Sequence, residues 1–313
     1  MILIVHNYNK NYTITYNNIS ILLNTKYSFI CFLAFLNKKI IDFDDYHILF
    51  QSISCLNLEL YSNHCFVILK LFLNNTHNFN NLNDIYHLQL SKKTKFIGNL
   101  YTIGEITYNN QIIKYNVYEF IDNMFNIEYI NNIKFIDFYS IIIDYLKAID
   151  TIHTERFIHS NIKPIQLMVN KSKVGKLIGF DDIIAIEKDK IFYNNTSGCI
   201  EFLANERFTY FINNGFIGNT SIYSDLWELY YSILYTINII NDREDYNNIF
   251  NNGNIIYFFV DKLSKLFNIN YSDTEFFYIV KLSKIFEIGL NNNPLLRNNA
   301  SYHISIILNN NFL

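Results

Sequence analysis

Hydrophobic positions change period part-way along the chain. From Phe135 to His153 the apolar residues Ile136, Tyr139, Ile142, Ile143, Leu146 and Ile149 recur at helical spacing, which predicts an amphipathic helix with a buried face. Residues 225–240 are apolar on nearly all sides, the pattern of a helix enclosed by others. The stretch 255–290 predicts further helices. The earlier part reads differently. Tyr12-Thr13-Ile14-Thr15-Tyr16, Cys65–Phe72 and Ile112–Phe120 are short runs rich in β-branched and aromatic residues, which predict strands. Asparagine clusters at 74–83, 109–110 and 247–254 predict loops between elements. Strands first and helices afterwards give an α+β arrangement.

With 313 residues, half of them hydrophobic, the chain can bury a sizeable core. A formal net charge of −3 gives no basic surface for nucleic acid or an acidic membrane. The apolar run from Tyr27 to Leu36 is too short to span a bilayer, and Met1–Val5 lacks the charged start of a secretory signal. An intracellular, most simply cytoplasmic, protein is expected. Cys31, Cys55, Cys65 and Cys199 form no Cys-x-x-Cys pair and are expected as reduced packing thiols. Asn, Ile, Tyr, Phe and Lys dominate while Arg, Ala, Gly and Pro are scarce. This is the bias of an AT-rich genome, such as those of some large DNA viruses and unicellular eukaryotes.

Five short motifs follow one another in the second half. His153, Ile158, His159, Lys163, Pro164, Leu167 and Val169 fall in one stretch, with Ser160, Asn161 and Gln166 between them. Eighteen residues after Asn161 comes Gly179-Phe180-Asp181, preceded by Lys176-Leu177-Ile178. Then come Gly198–Glu206, Ser224-Asp225-Leu226-Trp227 with the chain's only tryptophan, and Asn293-Pro294 through Arg297 to Ala300. In this order the motifs resemble those of the protein kinase superfamily, Ser/Thr type. The resemblance is firm from about Glu119 onward. It implies a two-lobed fold, with a strand-rich N-lobe over 1–120 and a helical C-lobe over 121–313. Residues 1–60 would hold the first strands or an extension.

The same resemblance implies that the chemistry is degraded. Asn161 stands where the family has its catalytic Asp, and Gln166 and Gly179 stand where it has its metal-binding Asn and Asp. An amide cannot act as a base at neutral pH, and losing a general base costs about 10²–10⁴ in rate. No glycine precedes Gly98, so the Gly-rich loop over the phosphates is missing. Lys70 is the candidate for the phosphate-binding lysine, or a solvent-facing strand residue. Its usual Glu partner is absent, Asp84 being the only acid between Lys70 and Glu105. Glu119, Phe120 and Ile121 match the adenine-binding hinge, or end an ordinary strand. Lys163 is retained. Asp181 and Asp182 either reach a metal or form a solvated acidic turn. Thr196 and Ser197 are loop hydroxyls open to phosphorylation.

Architectural positions are kept. His159 and Phe180 match residues that stack through the kinase core. Asp225 matches a buried Asp that caps its helix and bonds the loop backbone, and Ser224-Asp225 also suits plain helix capping. Glu206 and Arg297 match a buried ion pair. The expected function is therefore that of a pseudokinase, an intracellular scaffold or allosteric regulator with a kinase or signalling protein as partner and no cofactor. The alternatives are a divergent Ser/Thr kinase using Asp181 or Asp182 for magnesium, and a switch that binds ATP without turnover.

Overall fold

β-Branched and aromatic residues dominate the first part of the chain, and they form antiparallel strands there. The computed structural model describes residues 5–8, 11–16, 19–23, 45–51, 55–62, 65–72, 81–108, 111–187, 191–193, 197–251 and 254–309. They divide into two compact units, Met1–Leu88 with Asn99–Phe120, and Gln89–Gly98 with Ile121–Leu313. The mixture of helix with small antiparallel sheets is α+β, as the pattern predicts.

In the first unit, β1 (Val5–Tyr8), β2 (Asn11–Tyr16) and β3 (Ile19–Leu23) make one sheet. β4 (Asp45–Gln51), β5 (Cys55–Ser62), β6 (Cys65–Phe72), β7 (Leu100–Tyr108) and β8 (Gln111–Glu119) make a second, in the order β4-β5-β6-β8-β7. Helix α1 (Asn81–Ser91) follows β6. Asn81–Asn83 are therefore helical and not loop, because Asp84 in the first turn is tied to the sheet. Its Oδ1 accepts from Asn116 Nδ2 at 2.6 Å, and His87 lies against Tyr118 one turn further on. The predicted loops at 74–80 and 109–110 lie outside the described residues, as do Cys31 and Thr196.

The second unit is built on α3 (Phe135–Thr154) and α5 (Ile222–Thr236). Before α3 come β9 (Asn123–Met124) and the short α2 (Ile127–Ile130). Phe135 and Phe138 of α3 pack on Phe267, and Tyr139 packs on Tyr278. The predicted face is buried at Tyr139, Ile142, Ile143, Leu146 and Ile149, and only Ile136, 50% exposed, departs from it; Phe135 and Phe138 take the inward positions at that end of the helix. Strands β11 (Leu167–Val169) and β12 (Gly175–Leu177) pair with each other, β9 pairs with β11, and β10 (Phe157–Ile158) pairs with β13 (Ile184–Ala185). Burial raises the Asp144 carboxyl, which accepts from Gly175 N at 3.1 Å.

α5 begins three residues before the predicted start. Ser221, extended at φ −154, accepts from Ser224 N, and Ser224 Oγ accepts from Ser221 N, a reciprocal cap. The cap is thus Ser221 and neither Asp225 nor the Ser224-Asp225 pair. After α4 (Asn205–Asn214) and α5 come α6 (Arg243–Asn251), α7 (Ile255–Phe267), α8 (Thr274–Gly289) and α9 (Ala300–Leu308). Residues 247–251 are helical and not loop. Asp242 accepts from Asp245 N to start the turn, and buried Tyr246 stacks near Phe250 to hold it. Buried Lys281 donates to the carbonyls of Ile307 and Asn309, closing the end of α9 with a cation. Among the described residues no helix is long and apolar enough to cross a membrane.

α8 and α5 approach closely at Gly289. A Cβ there would lie 2.1 Å from two carbons of the Tyr230 ring. Gly289→Ala is expected to cost about 1–3 kcal/mol by overpacking. Urea denaturation of the two proteins checks this; an unchanged midpoint would mean that Tyr230 moves aside freely.

Candidate functional site

Because Ser221 caps α5, Asp225 in the first turn is free to bond outside its helix. It is fully buried, and its Oδ2 accepts from His159 N at 2.8 Å while Oδ1 accepts from Ser160 N at 2.8 Å. His153 Nε2, at the end of α3, donates to Oδ2 at 2.9 Å, which places the ring proton on that nitrogen. Ser160 has a left-handed φ of 63°, uncommon for a residue with a side chain. Three bonds fix it there: its amide to Asp225, its hydroxyl to Asp182 O at 2.6 Å, and its carbonyl to Arg207 Nη1 at 2.8 Å. His159 is also buried. Its Nε2 donates to Ile178 O at 3.0 Å, its ring lies 4.9 Å from Phe180, and burial holds its pKa below the usual histidine value.

Two ion pairs flank this loop. Arg207 on α4 and Glu228 on α5 are 2.8 Å apart and wholly buried. The guanidinium also reaches Ser197 O and Gly218 O, and Glu228 Oε2 accepts from Ile162 N at 3.1 Å. Sequence reasoning missed this pair. The signal available was an acid, Glu228, inside the all-apolar run Leu226-Trp227-Glu228-Leu229. Burial pushes the Glu228 carboxyl up to about 7, against the pull of Arg207. The second pair is Glu206 with Arg297. Arg297 Nη1 and Nη2 hold the two carboxylate oxygens at 2.9 and 2.6 Å, Nε donates to Asn291 O, and Ser224 Oγ also donates to Glu206. Trp227 points into the aromatic side of α5, stacked on Tyr231 at 4.6 Å and edge-on to Tyr246.

Asn161 and Gln166 lie on the same loop, and Gly179 lies against it. Asn161 uses both ends of its amide: Nδ2 donates to Asp182 Oδ2 at 2.7 Å, and Oδ1 accepts from Cys199 N at 3.0 Å. Asp182 is thus engaged and half-buried, while Asp181 is exposed. Gln166 is buried, its Oε1 accepting from Lys163 N at 3.2 Å. Gly179 has φ 85° and contacts Gln166. Magnesium, which the resemblance implies for an active relative, needs several hard oxygen ligands. The residues present do not fit it: position 179 carries no side chain, Gln166 Oε1 accepts from Lys163 N, and Asp182 Oδ2 accepts from Asn161 Nδ2.

Lys70 and the hinge candidates are described by their own neighbours in the first unit. Lys70 on β6 stands opposite Asn116 on β8, the residue that bonds Asp84. Glu119 ends β8, its carboxylate accepts from Asn99 N and Nδ2, and its amide donates to Asn99 O. Phe120 closes the first unit and Ile121, buried, opens the second part of the chain. No protein-family model matches the chain, and no curated protein matches it.

Removing one side of a buried pair leaves the other unpaired. Arg297→Ala is expected to cost about 3–5 kcal/mol, and Lys70→Ala clearly less. Equal melting temperatures for Arg297→Ala and the parent would refute the pairing's importance. A pH effect follows from Glu228, faced by Arg207 from α4 and Asp225 from its own helix. The native chain keeps a proton that the unfolded chain, at the ordinary 4.5, has released. This contribution is fully present below about pH 4.5 and is lost as pH rises through about 7. The stability of the parent relative to Glu228→Gln is therefore expected to fall between pH 5 and 8, by at most about 1.4 kcal/mol per unit. Urea midpoints across that range test it; a constant difference would place the Glu228 pKa outside it.

Proposed function

We propose that this chain is a catalytically inactive, protein kinase-like protein that acts through protein contacts as a scaffold or allosteric regulator. The observation that carries the reading is Asn161. It takes the position of the family's base, cannot accept the substrate proton, and is bound at both ends of its amide to Asp182 and Cys199. The order of the five motifs supports the family, and the bonds from Asp225 to the loop backbone suit the role the resemblance gives that residue. On this reading the strand-rich part over 1–120 is the N-lobe and the helical part over 121–313 the C-lobe of one kinase-like domain. The partner is a kinase or another signalling protein, met inside the cell. Metal-assisted transfer through Asp181 or Asp182 is disfavoured, because Asp182 is engaged by Asn161.

One observation favours a second reading, a nucleotide-binding switch without turnover. α1 brings the Asp84 carboxylate to Asn116 on β8, the direct cross-strand neighbour of Lys70 on β6, so a helix acid is held one strand away from the lysine. Thermal denaturation with ATP, with and without magnesium, separates the readings. A ligand at about 100 times its dissociation constant adds roughly 2.7 kcal/mol, a shift of about 4 °C for a chain of this size. A scaffold shows no shift, and a switch shows a shift that survives EDTA and is lost in Lys70→Ala. The result expected under either is no magnesium-dependent gain and no phosphate transfer to protein substrates. A shift that requires magnesium would overturn both.

A further inference from the structure

Gly179 and Gln166 fill one another's space. A Cβ built on Gly179 would lie 2.4 Å from Gln166 Nε2, 2.7 Å from its Cδ and 2.8 Å from its Cγ. These are three successive atoms of one side chain, so no rotation of the amide alone relieves the contact. Gln166 is also held in place. It is 6% exposed, its Oε1 accepts from Lys163 N, its backbone N–H donates to Lys163 O at 2.9 Å, and its backbone carbonyl accepts from Ile178 N at 3.1 Å. The last of these bonds ties it to the residue just before Gly179. On the other side of the turn, Ser160 Oγ and Asn161 Nδ2 hold the carbonyl and carboxylate of Asp182.

We propose that Gln166 is a plug: its buried side chain occupies the volume into which any side chain at 179 would project, so the two positions depend on each other. The segment 177–182 is thereby fastened to the loop 159–166 by these bonds and this packing. Glutamine at 166 requires glycine at 179, and restoring an acid at 179 fails while the glutamine stays. On the reading above, this packed pair stands where the family has its Asn and Asp. The plug itself stands on this packing, whereas the notion that the same place is the metal position of a kinase rests on the reading above.

A double-mutant cycle tests it, using the purified 313-residue chain and three variants: Gln166→Asn, Gly179→Asp and the double substitution. Melting temperature is measured in EDTA and again with millimolar manganese. In EDTA, Gly179→Asp alone is expected to lose more than about 4 °C. The loss for the same change in the Gln166→Asn background is expected to be less than half as large. Asp tolerates a left-handed backbone better than most residues, so residual strain is small. The cycle repeated with Gly179→Ala, which adds only the Cβ, keeps the comparison readable should the aspartate variant not fold. Equal losses in the two backgrounds would overturn the plug. Recovery in the double substitution supports it, and the manganese arm then speaks to the kinase-like reading. A gain confined to the double substitution supports that reading as well, and recovery without a gain leaves the plug standing and counts against a metal position there.

Discussion

Two successive backbone amides, those of His159 and Ser160, point at one buried carboxylate, and the loop between α3 and β11 depends on that contact. Asp225 has no solvent to lean on, so its charge is compensated by those two amides and by the His153 ring. Charge-assisted bonds in a low-dielectric interior are short and strong, and breaking one strands the others. Ser160 takes a left-handed φ here, and in that conformation both amides reach the same side chain. His159, Asn161 and Ile162 then take positions that the backbone has already fixed.

α5 divides its labour along its length. Its first two turns carry Ser224, Asp225 and Glu228, which reach respectively to Glu206, the loop 159–160, and Arg207 with Ile162. Trp227, Tyr230 and Tyr231 pack against the aromatic residues of α6, α8 and α9. One helix thus joins three polar segments at one end and three helices along its side. These bonds and ring contacts hold the framework of the helical unit together. None of the framework bonds passes through the side chain at 179, and the bond at 161 is made by an amide as readily as the framework needs.

Local pattern revealed the strands β2, β6 and β8 and the helices α3, α5, α7 and α8, because each has a period that burial on one or more faces imposes. It failed where a single side chain overrides composition. Asparagine at 247, 248 and 251 reads as loop, yet Tyr246 and the Asp242 cap make it helix. Asn81–Asn83 fail in the same way, through Asp84 and Asn116. Ile136 looks like a core residue by spacing, but the larger rings beside it win the inner face. At the site, Asp225, His159, Phe180, Glu206 and Arg297 were legible through a motif. Arg207 with Glu228 was not, since the partners are 21 residues apart and neither belongs to a motif. Nor was the packing of Gln166 on Gly179, which is a matter of shared volume and leaves no trace in either residue alone.

Arginine has a separate meaning in this chain. Lysine outnumbers it about five to one, and there are only four arginines. Three of them, Arg207, Arg243 and Arg297, donate to backbone carbonyls from within the helical unit, and Arg243 also lies over the rings of Phe208 and Trp227. A planar fork with donors in fixed directions can hold a carboxylate and several carbonyls together, whereas an ammonium on a flexible stem cannot reproduce that geometry. Where lysine is the common cation, these three arginines mark places at which the shape of the cation is used as well as its charge.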